Sequence, residues 1–161
     1  MTRLRPCPYP VGRLLMHAPP MVLIDEILGW NEEQVVTTLT IRPGSPFAED
    51  DGVPAHVALE WMAQSCGALV GIQAIEEQQP VRIGFLLGTR DFSAAVPWFE
   101  IGDRLVVTAT CTYKDGEMAQ FDCRVDRDDT SCATARLTVF QPQDLAAMLE
   151  SQGIAFAGPL P

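Results

Sequence analysis

Residues 54–78 read PAHVALEWMAQSCGALVGIQAIEEQ, a stretch that is mostly apolar and has no proline after its first residue. Proline suits the first turn of a helix and Pro80 would stop one, so the sequence predicts a helix from Pro54 to about Gln78. Such a helix is about 37 Å long, and apolar residues occupy nearly all of its sides. It must therefore be buried on most faces by the rest of the chain.

Two ionisable side chains lie near the start of this apolar stretch. His56 and Glu60 are four residues apart in sequence, so on a helix they share one face and can touch. Histidine titrates near neutral pH, and a carboxylate beside it is a common acid/base arrangement. In the alternative interpretation, His56 borders the helix start and Glu60 makes a structural hydrogen bond. The spacing alone leaves both interpretations open.

Hydrophobic patterns on both sides of the helix predict strands. The apolar run 21–30 and the alternating run 35–42 are joined by a NEEQ turn, and we expect them to form a hairpin. After the helix, residues 81–96 predict another strand, and three further alternating segments predict an antiparallel meander with one covered face. Those segments are 104–113, 119–125 and 133–139; a helical turn at 11–16, a short helix at about 143–152 and a loose tail complete the chain.

The element count predicts an α+β architecture. One long apolar helix and five or six mostly antiparallel strands can bury their surfaces together if the sheet wraps around the helix. The length of 161 residues indicates one domain, residues 1–161. A single sheet leaves part of the helix and an edge strand uncovered, so we expect a homodimer or a pair with a homologous partner.

Charge and cysteine content argue against several function classes. A net charge of -10, with Lys114 as the single lysine, argues against nucleic-acid binding, which needs a positive surface. No stretch approaches the ~18 apolar residues of a membrane span, and prolines occupy the place of a signal peptide's apolar run, so we expect a cytoplasmic protein without membrane insertion. Five cysteines without a CxxC pattern indicate free thiols.

Several strings resemble one enzyme family. LLMHAPPMVLIDEIL (14–28) is similar to the N-terminal segment of 3-hydroxyacyl-acyl-carrier-protein dehydratases, and SPF (45–47) and VPAHVALEWMAQ (53–64) are similar to their loop and helix. The resemblance covers about residues 14–140 and implies a hotdog fold, an antiparallel sheet wrapped around one long central helix. GVPAHVALEWMAQ, IGFLLGTRDF, VPWFEIGDRLVV and LTVFQP resemble a branch of hotdog dehydratases from aryl-polyene clusters.

The resemblance also implies an activity and a site. In these dehydratases a loop histidine removes the C2 proton of an acyl thioester, and an acidic residue on the helix helps the 3-hydroxyl leave. Backbone N–H groups at the helix start hold the thioester carbonyl. Glu60 falls on the acidic position, and Gln64 follows on the same face as a substrate-binding candidate. Val53 and Ala55, at the helix start, are also expected to bind substrate. The loop histidine is missing, because residues 48–52 read AEDDG where His-Phe-Pro-Gly is expected.

Three sources are possible for the base that the loop histidine would supply. His56 is the favoured catalytic candidate, because it would face Glu60 from the first helical turn. His17, the only other histidine, matches a family position that we interpret as structural, and it is the second candidate base. In the third alternative a partner subunit carries a complete site and this chain completes the interface.

The remaining expectations concern substrate and partners. Trp61 either lines an acyl tunnel or fills the core. Arg90, together with Arg82 and Arg104, is a candidate patch for a phosphopantetheine phosphate. The predicted function is dehydration of a 3-hydroxyacyl group carried on the phosphopantetheine of acyl carrier protein or coenzyme A, in fatty-acid or aryl-polyene type biosynthesis. A non-catalytic hotdog subunit and a thioesterase are the alternatives, and no metal or redox cofactor is implied.

Overall fold

The computed structural model describes residues 2–155 and has one antiparallel sheet packed against a central helix. No helix among these residues is long and apolar enough to cross a membrane. Residues 156–161, the end of the predicted loose tail, lie outside the described part. The elements are α1 (Val11–Leu14), β1 (Glu26–Trp30), β2 (Gln34–Thr40), β3 (Val53–Pro54), a 3-10 turn (Ala55–Val57), α2 (Ala58–Glu76), β4 (Phe85–Ala94), β5 (Trp98–Phe99), β6 (Arg104–Asp115), β7 (Met118–Arg127), β8 (Thr130–Phe140) and α3 (Leu145–Ser151).

The main sheet has the strand order β1-β2-β6-β7-β8-β4, and all its neighbouring strands are antiparallel. The predicted hairpin is therefore confirmed as β1 and β2, and the predicted meander as β6, β7 and β8. Gly116, in the turn between β6 and β7, has a φ of 58°, which glycine adopts at little cost. A separate two-stranded ladder joins β3 to β5.

Helix α2 lies at the centre, as the sequence predicts, and packs against β2, β6, β7 and β8. The predicted helix starts at Pro54, whereas the structure forms a 3-10 turn first and the α-helix from Ala58. Because the sheet covers most of the helix, its inward-facing residues are fully buried. They include Ala58, Met62, Cys66, Leu69 and Ile72, which meet Val107, Phe121, Val125 and Leu137 of the sheet.

Two strands begin later than predicted. Residues 21–25 are not part of the first strand. The side chain of Gln64 binds the backbone of Met21 and Leu23, and only the Asp25 N–H in this segment donates to β2, at the Thr38 carbonyl. The strand predicted for 81–96 begins only at Phe85. Of the two shortened segments, residues 82–84 help to form the groove described below.

The N-terminal segment runs alongside α2. The backbone carbonyl of Leu14 approaches Gly71 so closely that a Cβ on that glycine would overlap it. One turn nearer the helix start, the tip of Leu15 would contact a Cβ on Gly67. The segment therefore runs antiparallel to α2, which carries His17 towards the N-terminal half of the helix.

Candidate active site

A groove of about 290 Å³ lies along α2. Its floor is a half-buried face of the helix, and its walls come from the segment around Leu15, the start of β4 and the end of β8. Most of its lining is apolar. The ionisable side chains that line it within the described residues are His17, Glu60, Cys66 and Arg82.

His17 and Glu60 meet at this groove. His17 Nε2 lies 3.5 Å from Glu60 Oε1, and the two side chains are 40% and 36% exposed, so both are open to a ligand. His17 is held from two sides: Leu14 and Leu15 are buried against α2, and the Met21 N–H donates to the Ala18 carbonyl, which turns the chain just beyond the histidine. An imidazole beside a carboxylate is suited to proton transfer near neutral pH.

Gln64 fixes the position of Glu60. Its amide nitrogen donates to Glu60 Oε1 at 3.0 Å and to the Met21 carbonyl at 2.7 Å, and its amide oxygen accepts the Leu23 N–H at 2.8 Å. The side chain is 1% exposed. Gln64 also lines the groove. Because its side chain is committed to these three bonds, the geometry favours a positioning role over the expected direct contact with substrate.

The structure does not bring His56 to Glu60. His56 is exposed within the 3-10 turn that precedes α2, and it does not line the groove. Among the described residues, the histidine within 4.0 Å of a carboxylate is His17, and its partner is Glu60. We expected His56 and Glu60 to share one helix face because we assumed a regular α-helix from Pro54. The structure has a tighter 3-10 turn at Ala55–Val57, which changes the direction of the His56 imidazole.

Val53 and Ala55 lie at the helix start but away from the groove. Val53 is buried and pairs with Phe99 in the β3–β5 ladder. The Ala55 N–H donates to the Pro97 carbonyl at 3.0 Å. That N–H already has a backbone partner, so its geometry does not support the expectation that it holds a thioester carbonyl.

Trp61 and Arg90 also lie outside the groove. Trp61 is 2% exposed and packs edge to face on Phe99, with ring centroids 5.1 Å apart, so of its two expected roles it takes the core one. Arg90 is exposed on β4, opposite Arg136 of β8. The expected arginine patch is thus divided, and Arg82 is the member that lines the groove.

Cys66 is a poor nucleophile although it lines the groove. Burial raises the pKa of its thiol well above the usual range, and its Sγ lies 3.6 Å from Cys123 Sγ. It therefore stays protonated near neutral pH. Within residues 2–155, no three His, Cys, Asp or Glu side chains converge as a metal site would require.

The sequence did not predict the contact between His17 and Glu60. His17 and Glu60 are far apart along the chain, so their contact produces no periodic pattern in the local sequence. The available signal was the HAPP string itself, since the two prolines after the histidine predict a turn that holds it in place.

Comparisons with known proteins support a common ancestry. The ApeP-like family, described as ApeP dehydratase, matches residues 9–150. The 3-hydroxyacyl-[acyl-carrier-protein] dehydratase FabZ of Streptococcus pyogenes serotype M3 is 26% identical over 132 residues, covering 77% of this chain and 90% of that enzyme.

Solved structures give the same result for the fold. The dehydratase heterocomplex ApeI:P from Xenorhabdus doucetiae contains a chain that is 28% identical, with a TM-score of 0.85 and coverage of 89% of this chain and 97% of that one. The HP0420 homologue from Helicobacter felis, 13% identical, has a TM-score of 0.63 over 83% of this chain and 89% of its own. The second likeness concerns the fold alone.

Proposed function

Because the chain belongs to the ApeP-like family of dehydratases, we propose that it dehydrates 3-hydroxyacyl thioesters and that His17 and Glu60 are its catalytic pair. The observation that carries this proposal is the 3.5 Å contact between His17 Nε2 and Glu60 Oε1 in a mostly apolar groove. The acyl group would be carried on the phosphopantetheine of acyl carrier protein or on coenzyme A. A cytoplasmic location and chemistry without a metal or redox cofactor belong to the same proposal.

The pair accounts for both proton transfers of the elimination. His17 Nε2 takes the C2 proton, the C2–H electrons form the C2=C3 bond, and the C3–O bond breaks. Glu60 gives its proton to the departing hydroxyl, which leaves as water. The proton on His17 then passes to the adjacent Glu60 carboxylate, so the pair returns to its starting state.

The partner in this proposal is a second hotdog subunit. Strand β4 is an edge of the sheet in the described chain and exposes Phe85, Leu86 and Leu87 at 38%, 42% and 55%. An exposed apolar edge strand is a common site for strand pairing with another chain. A chain that is 28% identical to this one comes from a dehydratase heterocomplex, which favours a heteromer. Since Phe85 and Leu86 also line the groove, the partner would close it.

A product assay tests the proposed function. The protein, alone and together with a hotdog subunit from neighbouring genes, is incubated with a 3-hydroxyacyl thioester, and enoyl thioester, free acid and free thiol are quantified. We expect the enoyl product, and we expect Glu60→Gln to reduce its formation by about 100-fold or more. Release of free thiol would indicate a thioesterase, and dehydration that survives Glu60→Gln would indicate that the partner carries the site. Glu150→Gln, on the exposed helix α3, is the matched control.

A further inference from the structure

The groove continues along α2 beyond the acid/base pair. The residues that form its floor recur every three or four positions, so they share one face of the helix. At its far end the groove adjoins a second cavity of about 200 Å³, because four residues line both. The α2 residues of the floor are Glu60, Ala63, Gln64, Cys66, Gly67 and Val70, and the residues common to both cavities are Val70, Arg82, Val139 and Gln141.

Gly67 stands in the middle of this floor. Glycine is unfavourable in a helix interior, so its presence there needs a reason. Close packing provides that reason at Gly71, where a Cβ would overlap the Leu14 carbonyl. It does not at Gly67, where the described neighbour within 4 Å of a Cβ is Leu15 Cδ2, at 3.3 Å. That atom is the tip of a flexible side chain and can move.

We propose that Gly67 determines which acyl chains the enzyme accepts, because its missing side chain keeps the groove open beyond Glu60. The inference rests on the proposed dehydratase function. Gly67 lies about 10 Å from Glu60 along the helix axis. A 3-hydroxybutyryl group reacting at Glu60 ends before Gly67, whereas an extended 3-hydroxydodecanoyl group passes it towards Val70 and Val139, which line the far end of the groove.

The substrate class that follows is a thioester with a long acyl chain. A side chain at position 67 would occupy the path of that chain and leave the space around His17 and Glu60 open. Excluding methylene groups from an apolar pocket costs about 0.8 kcal/mol each, which is roughly a fourfold loss per group. Blocking the groove at Gly67 should therefore change the preference between chain lengths more than the chemistry itself.

The experiment compares two substrates across three variants. The specificity constant kcat/KM is measured for 3-hydroxybutyryl and 3-hydroxydodecanoyl thioesters with the wild type, Gly67→Ala and Gly67→Val. We expect Gly67→Val to lower the value for the dodecanoyl substrate by about tenfold or more and to leave the butyryl value within about twofold, with Gly67→Ala between. Gly12→Ala, where a Cβ meets nothing within 4 Å, is the control, and thermal unfolding checks that each variant is folded.

The other outcomes overturn the inference. Equal losses for both substrates would mean that Gly67 supports the position of Leu15 and His17, or that this part of the groove holds the pantetheine arm. Unchanged values for both would mean that acyl chains do not pass this position. A wild type that dehydrates neither substrate contradicts the proposed function instead. In that case the role of Gly67 is tested by calorimetric binding of dodecanoyl pantetheine. The inference holds if Gly67→Val weakens this binding by about tenfold and fails if it does not.

Discussion

Gln64 connects the carboxylate of Glu60, the proposed catalytic acid, to the backbone of the segment before β1. Its three hydrogen bonds reach Glu60, Met21 and Leu23, and the side chain is 1% exposed. A buried amide with every bond satisfied is stabilising mainly because the partner groups would be costly to leave unpaired. Gln64 thus links stability to the geometry of the site.

Replacing Gln64 by leucine should lower the stability of the fold and disturb the geometry of the site. Gln64→Leu keeps the side chain's size but leaves the Met21 carbonyl and the Leu23 N–H unpaired, so we expect the free energy of unfolding to fall by about 2–3 kcal/mol. Urea unfolding measures this change. Gln73→Leu on the same helix is the control, because its exposed bond to the Glu32 carbonyl should contribute less than about 1 kcal/mol. Equal effects of the two variants would contradict the role of Gln64.

At the residue level the sequence predicted part of the site. Glu60 was predicted from its place on the helix, and the structure puts it in the groove. The preference for His56 over His17 came from an ideal helical spacing that the 3-10 turn at Ala55–Val57 does not follow. The His17 contact depends on how the segment at Leu14 and Leu15 packs on α2, and that packing leaves no periodic trace in the sequence.

At the level of elements, Gly71 sets the distance between the N-terminal segment and α2. Gly71→Ala places a Cβ against the Leu14 carbonyl, so the segment has to move away from the helix. We expect a loss of about 1–3 kcal/mol in unfolding free energy, although alanine favours a helix, together with slower dehydration because His17 moves with the segment.

Gly67→Ala is the matched control for this substitution. It makes the same change on the same helix, but the group displaced is only the flexible tip of Leu15. Its unfolding free energy should stay equal or rise slightly. If Gly67→Ala proved as destabilising as Gly71→Ala, the backbone approach of Leu14 would not be the cause.

The elements themselves were largely predictable, and their ends were not. The period-two segments gave the strands of the meander, and the proline-bounded apolar stretch gave α2. The first strand was predicted from residue 21 because most residues from 21 to 30 are apolar. The structure begins it at Glu26. Gln64 binds the backbone of Met21 and Leu23, and a side-chain partner of this kind is not visible in a hydrophobic pattern.

At the scale of the whole molecule, the predicted hotdog fold and dehydratase family are confirmed by the match over residues 9–150 and by the related structures. These predictions succeeded because they used strings spread over most of the chain. The proposed pairing through β4 joins two whole subunits. It predicts that Leu87, which is 55% exposed and does not line the groove, lies in the interface between them.

Leu87→Lys should therefore weaken association. A buried lysine charge replaces an apolar contact, and we expect the dissociation constant of the dimer, measured by analytical ultracentrifugation, to rise about tenfold or more. Ile101→Lys is the control, because Ile101 is also an exposed apolar residue, at 39%, but lies in the loop before β6. A wild type that sediments as a monomer both alone and with its hotdog neighbour would contradict the pairing.

The central claim is that His17, paired with Glu60, is the base. It is tested most directly by measuring kcat/KM for 3-hydroxyacyl thioester dehydration in His17→Asn and His56→Asn, with folding checked by thermal unfolding. We expect a loss of about 100-fold or more for His17→Asn and a change within about threefold for His56→Asn. The reverse order, or full activity in both variants, would contradict it.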